Sequence, residues 1–204
     1  MIEQRTDEWF AQRLGKVTAS RVSDVIAKTK TGYSSSRMNY AAQLVCERLT
    51  GLPQELFSNA AMQWGTEQEP FARAAYEVKS ESFVDECGFV DHPSIPMSGA
   101  STDGLIDSDG LVEIKCPNTA THIDYLLGKK PPEKYMPQMA FQLLCTKRAW
   151  CDFVSFDPRM PKELQLFVVR FIPGKEYLEM IEKEVSSFLE EVSAKVAALQ
   201  KLAA

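Results

Sequence analysis

No run of about 18 consecutive apolar residues occurs in this 204-residue chain, so no segment is built to cross a bilayer as a helix. The first residues, Met1-Ile2-Glu3-Gln4-Arg5-Thr6-Asp7, lack the apolar core that a secretory signal needs. The five cysteines (Cys46, Cys87, Cys116, Cys145, Cys151) are scattered, and no pair has C-x2-C spacing. That excludes a disulfide framework and a cysteine zinc site, and it points to the reducing cytoplasm. Internal repeats, low-complexity tracts and linkers are also missing, so residues 1–204 are expected to form a single domain. Excess basic charge is missing too. The net charge is −5 and the isoelectric point is near 5.2. Composition therefore does not announce a nucleic-acid binder, although a nuclease needs carboxylates at its centre and can keep a local basic groove. Hydrophobic residues at 45% and charged residues at 25% exclude a disordered tail or a fibre.

What is present alternates between two periodicities. Thr6 is placed to cap a short helix through Trp9, Phe10 and Leu14 that stops at Gly15. Thr18 or Ser20 can cap a second, with Val22, Val25 and Ile26 on one face. Residues 27–37 read as a flexible cationic loop uninterrupted by Asp or Glu, and 37–50 as a helix ending at Gly51-Leu52-Pro53. Thr66-Glu67-Gln68-Glu69 fits a capping box, so a helix is expected over about 67–79, burying Phe71, Ala74, Ala75 and Val78. From 83 to 116 the period shifts toward two, as in antiparallel strands. A helix over 133–147, strands over 150–156 and 164–171, and an amphipathic helix over 174–201 complete the chain. The fold class expected is α/β, a central mixed sheet flanked by helices with a long C-terminal amphipathic helix. That last helix either packs on the sheet or binds a partner.

Chemistry concentrates at Asp103 and Glu113-Ile114-Lys115. The E-x-K pattern alone says little, and the chain has a second copy at Glu77-Val78-Lys79. Geometry separates the two. Residues i and i+2 diverge on a helix but share a face on a strand, so only Glu113 and Lys115 can converge on one atom. Asp107-Ser108-Asp109-Gly110 is a hairpin signal that folds Asp103 back toward them. A simple four-residue loop puts Asp103 opposite Ile114, on the wrong face. A bulge at Gly110 would shift the register by one and align it with Glu113 or Lys115, so an irregular turn is expected. Two carboxylates and a lysine on one patch suit metal-assisted phosphodiester hydrolysis, and all-oxygen donors select Mg2+ or Mn2+ over zinc. The alternative is a surface salt bridge between Glu113 and Lys115.

Six blocks occur here in the order in which they occur in the phage lambda exonuclease family: Arg13 to Ser20 (RLGKVTAS), Trp64 to Glu69 (WGTEQE), Ser101 to Gly104 (STDG), Leu111 to Pro117 (LVEIKCP), Tyr135 to Gln138 (YMPQ) and Phe156 to Met160 (FDPRM). The chain resembles these alkaline exonucleases, within the restriction-endonuclease-like PD-(D/E)xK nucleases, from about Trp9 to the C-terminal helix. The resemblance implies a restriction-endonuclease-like core and a Mg2+-dependent 5′→3′ exonuclease acting on double-stranded DNA with a 5′-phosphate. It also implies a ring-shaped homotrimer and pairing with a single-strand annealing protein. By position, Asp103, Glu113 and the carbonyl of Ile114 would hold metal, and Lys115 would be the catalytic lysine. Glu69 would be a further carboxylate near the metals or a first-turn capping residue. Gln138, in preference to Gln142, matches the family's active-site glutamine, with Ala140 where a second glutamine often stands. Arg13, Ser20 and Ser101 match the 5′-phosphate pocket, against a plain helix-end cation for Arg13. An endonuclease or resolvase of the same fold, or a non-catalytic DNA-end scaffold, would share much of this pattern.

Overall fold

The computed structural model describes residues 2–53 and 59–203. The chain begins with α1 (Asp7–Arg13), whose first turn is capped by the Thr6 hydroxyl accepting from Trp9 N–H. It continues through β1 (Val17–Thr18), a single 3-10 turn and the short α2 (Val22–Ile26). The small hairpin β2 (Lys28–Thr29) and β3 (Gly32–Tyr33) leads into α3 (Ser35–Thr50), which ends where Gly51 turns left-handed at φ 70°. Then come α4 (Ala60–Ser80), β4 (Val84–Asp85), β5 (Phe89–Asp91), β6 (Ser98–Ser101), β7 (Gly104–Ile106) and β8 (Gly110–Lys115). The remainder is α5 (Thr119–Gly128), α6 (Met136–Thr146), β9 (Trp150–Phe156), β10 (Leu166–Phe171) and α7 (Lys175–Leu202). None of the described helices is long and apolar enough to cross a membrane.

A five-stranded mixed sheet runs β10-β9-β8-β7-β4, with β8 and β9 parallel and the other pairs antiparallel. Alternation along β8 and β9 gives it two apolar faces. Val112, Ile114, Val154 and Phe156 pack with Ala72 and Tyr76 of α4. Leu111, Cys151 and Phe153 join Phe141 of α6, Tyr40 and Leu44 of α3, and Phe188 of α7. A second, three-stranded sheet, β1-β6-β5, lies beside that second core.

This is the expected α/β architecture; α5 and the second sheet are additions to it, neither Thr18 nor Ser20 caps α2, and four further differences bear on the site. First, α4 starts at Ala60, capped by Asn59, so Thr66 is no cap; its hydroxyl donates to the Met62 carbonyl instead. Pro70 therefore lies inside the helix and leaves the Thr66 carbonyl without its helical donor. Second, the buried stripe of α4 is Ala72 and Tyr76, while Phe71 and Val78 are 63% and 83% exposed. Small Ala72 lets the helix approach the sheet, and Tyr76 fixes the rotation by reaching Asp152 at 2.9 Å. Third, the cationic stretch 27–37 is not a free loop. Lys28 and Tyr33 each bond Glu184 at 2.8 Å, and buried Arg37 bonds Glu191 at 2.5 Å, so α7 supplies the missing acids.

The fourth difference sets the active register. Ile106 pairs with Gly110, so the hairpin loop is three residues long, Asp107-Ser108-Asp109, with Asp107 at φ 46°. The shift by one comes from this shorter loop, not from a bulge at Gly110. Gly110 is glycine because a Cβ there would overlap the Trp150 ring. Arg148 Nη1 gathers the turn by donating to the carbonyls of Ile106, Asp107 and Gly110 at 2.8–3.0 Å.

Candidate active site

With Gly104 opposite Val112, the same count places Asp103 opposite Glu113. Asp103 bends out of the strand before β7, and its Oδ2 accepts from the Ile114 N–H at 2.6 Å. Ile114 turns its side chain to the α4 side of the sheet. Glu113 and Lys115 point to the other side and pair directly, Lys115 Nζ to Glu113 Oε1. Two glutamines one turn apart on α6 finish the enclosure. Gln138 Nε2 donates to Glu113 Oε1 and Gln142 Nε2 to Glu113 Oε2, each at 2.6 Å. Gln142 also reaches the Ser101 carbonyl at 3.0 Å. The sequence favoured Gln138 as the glutamine of the site; the fold brings both to Glu113, an i, i+4 pair legible from spacing alone.

The electrostatics are unbalanced. Glu113 is 0% exposed. Burial and the Glu113 charge, with a further contribution from Glu69, push the Asp103 carboxyl up to about 8, against the pull of Lys115. Burial alone would lower Lys115, but Glu113 and Asp103 outweigh it and hold the ammonium protonated above its ordinary value. Two acids thus share one ammonium, so Asp103 keeps its proton near neutral pH, and a divalent cation would take the place of that proton. The donors fit a hard cation, since Asp103 and Glu113 offer only carboxylate oxygens and the nitrogens around them carry protons. Among the described residues no three His, Cys, Asp or Glu side chains cluster as a ready-made metal cage, so Asp103 and Glu113 would need main-chain carbonyl and water to complete a shell.

Glu69 stands in the middle of α4, not in its first turn, so the capping reading falls away. Its Oε2 takes Arg5 Nη2 at 2.6 Å, and its Oε1 lies 3.5 Å from Arg73, which also pairs with Glu86. Glu69, Arg5, Arg73 and Asp103 line one cavity of about 370 Å³.

Beside it opens a cleft of about 700 Å³ lined by Trp9, Arg13, Ser20, Tyr40 and Gln63 among others. The Arg13 guanidinium lies 3.9 Å over the Trp9 ring, a cation–π contact, and its Nη1 is 3.4 Å from Ser101 Oγ. Trp9 Nε1 donates to the same hydroxyl at 2.9 Å. Burial lowers Arg13 to about 10, and no carboxylate among the described residues pairs with it. A desolvated guanidinium with hydroxyls beside it and no acid suits an anion from outside. Ser101 reaches Arg13 directly, whereas Ser20 shares the cleft and bonds Thr18 at 3.4 Å. The sequence reading missed Arg5 and Arg73, two cations next to Glu69; Arg73 is its i, i+4 neighbour on α4 and legible from spacing, whereas only the packing of residues 2–6 against α4 reveals Arg5.

Known proteins align with this arrangement. Residues 8–149 match the model of a family described as the YqaJ-like viral recombinase domain. An alkaline exonuclease of Laribacter hongkongensis, LHK-Exo, is 50% identical with a TM-score of 0.90, covering 97% of this chain and 98% of that one. LHK-Exo in complex with dAMP aligns at 51% identity and a TM-score of 0.91, with the same coverage. A phage-related exonuclease of Haemophilus somnus 129PT shares the fold, with a TM-score of 0.74 at 16% identity over 90% of this chain and 96% of that one. An uncharacterized protein of Acanthamoeba polyphaga mimivirus is 25% identical over 170 residues, 75% of this chain, and the chain spans 29% of that relative's length.

Proposed function

The chain belongs to the family of YqaJ-like viral recombinase domains, and from that premise we propose that it is a metal-dependent 5′→3′ exonuclease on double-stranded DNA ends. The observation that carries the reading is the pocket in which Asp103 and Glu113 share the single ammonium of Lys115. Asp103, Glu113 and the Ile114 carbonyl would hold Mg2+ or Mn2+. When bound, the cation polarises a phosphoryl oxygen and makes water a better nucleophile at neutral pH.

The protein's own groups do the rest. Gln138 and Gln142 each fix one oxygen of Glu113, so the carboxylate cannot rotate between a metal-facing and a lysine-facing position. Lys115 meets the strand as an ammonium, suited to stabilise charge growing on the phosphorus oxygens and to orient water. Arg13, with Ser101 and Ser20, grips the terminal 5′-phosphate, which sets the scissile bond over Asp103 and Glu113. Glu69 adds a carboxylate at the rim. This reading yields 5′-mononucleotides and leaves 3′ single-stranded overhangs for recombination by annealing. The dAMP bound by LHK-Exo is a product of that class.

The assembly that goes with it is a homotrimer ring, a head-to-tail contact that closes, working with a single-strand annealing protein. Light scattering at micromolar concentration is expected to give about three times the protomer mass of 22.9 kDa. The deciding experiment incubates linear, nicked and covalently closed DNA with and without Mg2+. Loss of linear duplex from its 5′ ends, abolished by EDTA, is expected. Cleavage of closed circles would instead favour an endonuclease of the same fold.

A further inference from the structure

The segment preceding α1 lies across the mouth of the carboxylate cavity, and it is tied down at both ends. Gln4 Nε2 donates to the carbonyls of Cys87 and Thr102 at 2.7 Å each, the latter next to Asp103. Thr6 caps α1 and donates to the Glu3 carbonyl at 2.8 Å. Between these anchors Arg5 adopts φ 72°, an uncommon backbone for a residue with a Cβ. The local conformation therefore aims its side chain. Its guanidinium lands on Glu69 and lines both cavities, the one holding Asp103 and the one holding Arg13.

Charge distinguishes Arg5 from its neighbour. Arg73 divides itself between Glu69 and Glu86, whereas the half-exposed Arg5 has Glu69 as its one ion-pair partner among the described residues. Glu69 spends its closer contact on Arg5 rather than completing a three-carboxylate group with Asp103 and Glu113. A cation entering that pair would compete with Arg5 for Glu69, and each would weaken the other's hold.

We propose that Arg5 is a DNA-phosphate-binding residue held in reserve: its guanidinium is parked on Glu69 until a divalent cation draws that carboxylate toward Asp103 and Glu113, and it then takes a phosphate oxygen of the strand spanning the two cavities. This rests on the nuclease reading above. It adds a coupling between metal loading and grip on the substrate.

Calorimetric titration of Mn2+ into DNA-free protein is expected to show Arg5→Gln binding at least about threefold more tightly than the wild type, because the competing cation is gone. Fluorescence anisotropy then follows a 5′-phosphorylated duplex in a Lys115→Ala background, which leaves the DNA intact. With Mg2+ present, Arg5→Gln weakens binding about tenfold; in EDTA it changes little. Glu69→Gln frees Arg5 without metal, so affinity in EDTA rises above that of the parent and falls back in the Arg5→Gln/Glu69→Gln double variant. Arg5→Gly, suited to the positive φ, gives the same pattern, and thermal melting shows that the fold is kept. Unchanged or weaker Mn2+ binding in Arg5→Gln overturns the proposal, as does an equal loss of DNA affinity with and without metal. A Lys115→Ala parent that binds neither metal nor DNA would sink the nuclease reading itself. A silent Arg5→Gln in a binding-competent parent sinks only this inference.

Discussion

Glu113 and Asp152 are both buried carboxylates on adjacent parallel strands of one sheet, yet they are held in opposite ways. Asp152 faces α4 and is fully matched. Arg170, directly opposite on β10, grips both its oxygens at 2.8 and 3.0 Å, and Tyr76 adds a hydrogen bond at 2.9 Å. Glu113 faces α6 and shares one ammonium with a second acid, its remaining donors being neutral amides. The first arrangement neutralises its charge and closes. The second sets two acids against one ammonium, so near neutral pH a proton on Asp103 offsets the surplus and a divalent cation can replace that proton. Burial of an acid is thus no mark of a site; an acid left without a cation of its own is.

Substitutions should pull the two apart. Glu113→Gln is expected to lower cleavage by at least about ten-thousandfold while the melting temperature changes little, because Asp103 then ionises and keeps a partner for Lys115. Asp103→Ala should lose metal and activity together. Lys115→Ala should retain DNA binding without cleavage, and a variant keeping more than about a tenth of the wild-type rate would make Lys115 a mere structural partner of Glu113. Asp152→Ala should do the reverse. It leaves the Tyr76 hydroxyl and the half-exposed Arg170 without their acceptor, costing about 1–3 kcal/mol in urea denaturation with activity per folded molecule intact.

A smaller effect is expected at Arg13. Arg13→Ala should slow digestion of 5′-phosphorylated ends by roughly ten- to a hundredfold, about 1.5–3 kcal/mol, and affect 5′-hydroxyl ends far less. Equal loss on both substrates would return Arg13 to a helix-end cation.

The smallest effects are in pH. Asp103 has its folded value raised from 3.8 to about 8, chiefly by burial and Glu113. Its contribution is fully present below pH 3.8 and is lost as pH rises through about 8. Asp157 is the opposite case. Burial pushes it up, but hydrogen bonds from Arg159 and Thr119 win and bring it to about 2. Its contribution is present above pH 3.8 and is lost as pH falls through about 2. In metal-free protein, the stability difference from Asp103→Asn should therefore decline between pH 3.8 and 8, and that from Asp157→Asn should grow between pH 2 and 3.8. A flat Asp103 profile would mean that its carboxyl is neither desolvated nor set against the Glu113 charge.

The strand carrying Glu113 and Lys115 was legible because alternation gives each residue a face, and Val112 and Ile114 could face only a core. Asp152 was not legible as structural, because its partner lies 18 positions on, across a pairing that no local pattern encodes. The helix α4 misled for a related reason. It carries two apolar stripes, and only the sheet's need for a small residue and a tyrosine hydroxyl selects Ala72 and Tyr76 over Phe71 and Val78. The strand β6, Ser98-Gly99-Ala100-Ser101, carries no β-branched or aromatic residue, so propensity hides it and with it the second sheet.

The three-residue turn at 107–109 has a genetic consequence. The alignment of Asp103 with Glu113 is decided at the far end of the hairpin, where Gly110 lies flat under Trp150 and Arg148 gathers three carbonyls. A side chain at 110 must push either the indole or the strand, and a slip by one residue turns Asp103 away from its partner. A screen that scores only loss of DNA degradation should therefore recover Gly110 and Arg148 alongside the acids. Their alleles would look catalytic, although both residues sit at the turn, away from the Asp103, Glu113 and Lys115 cluster.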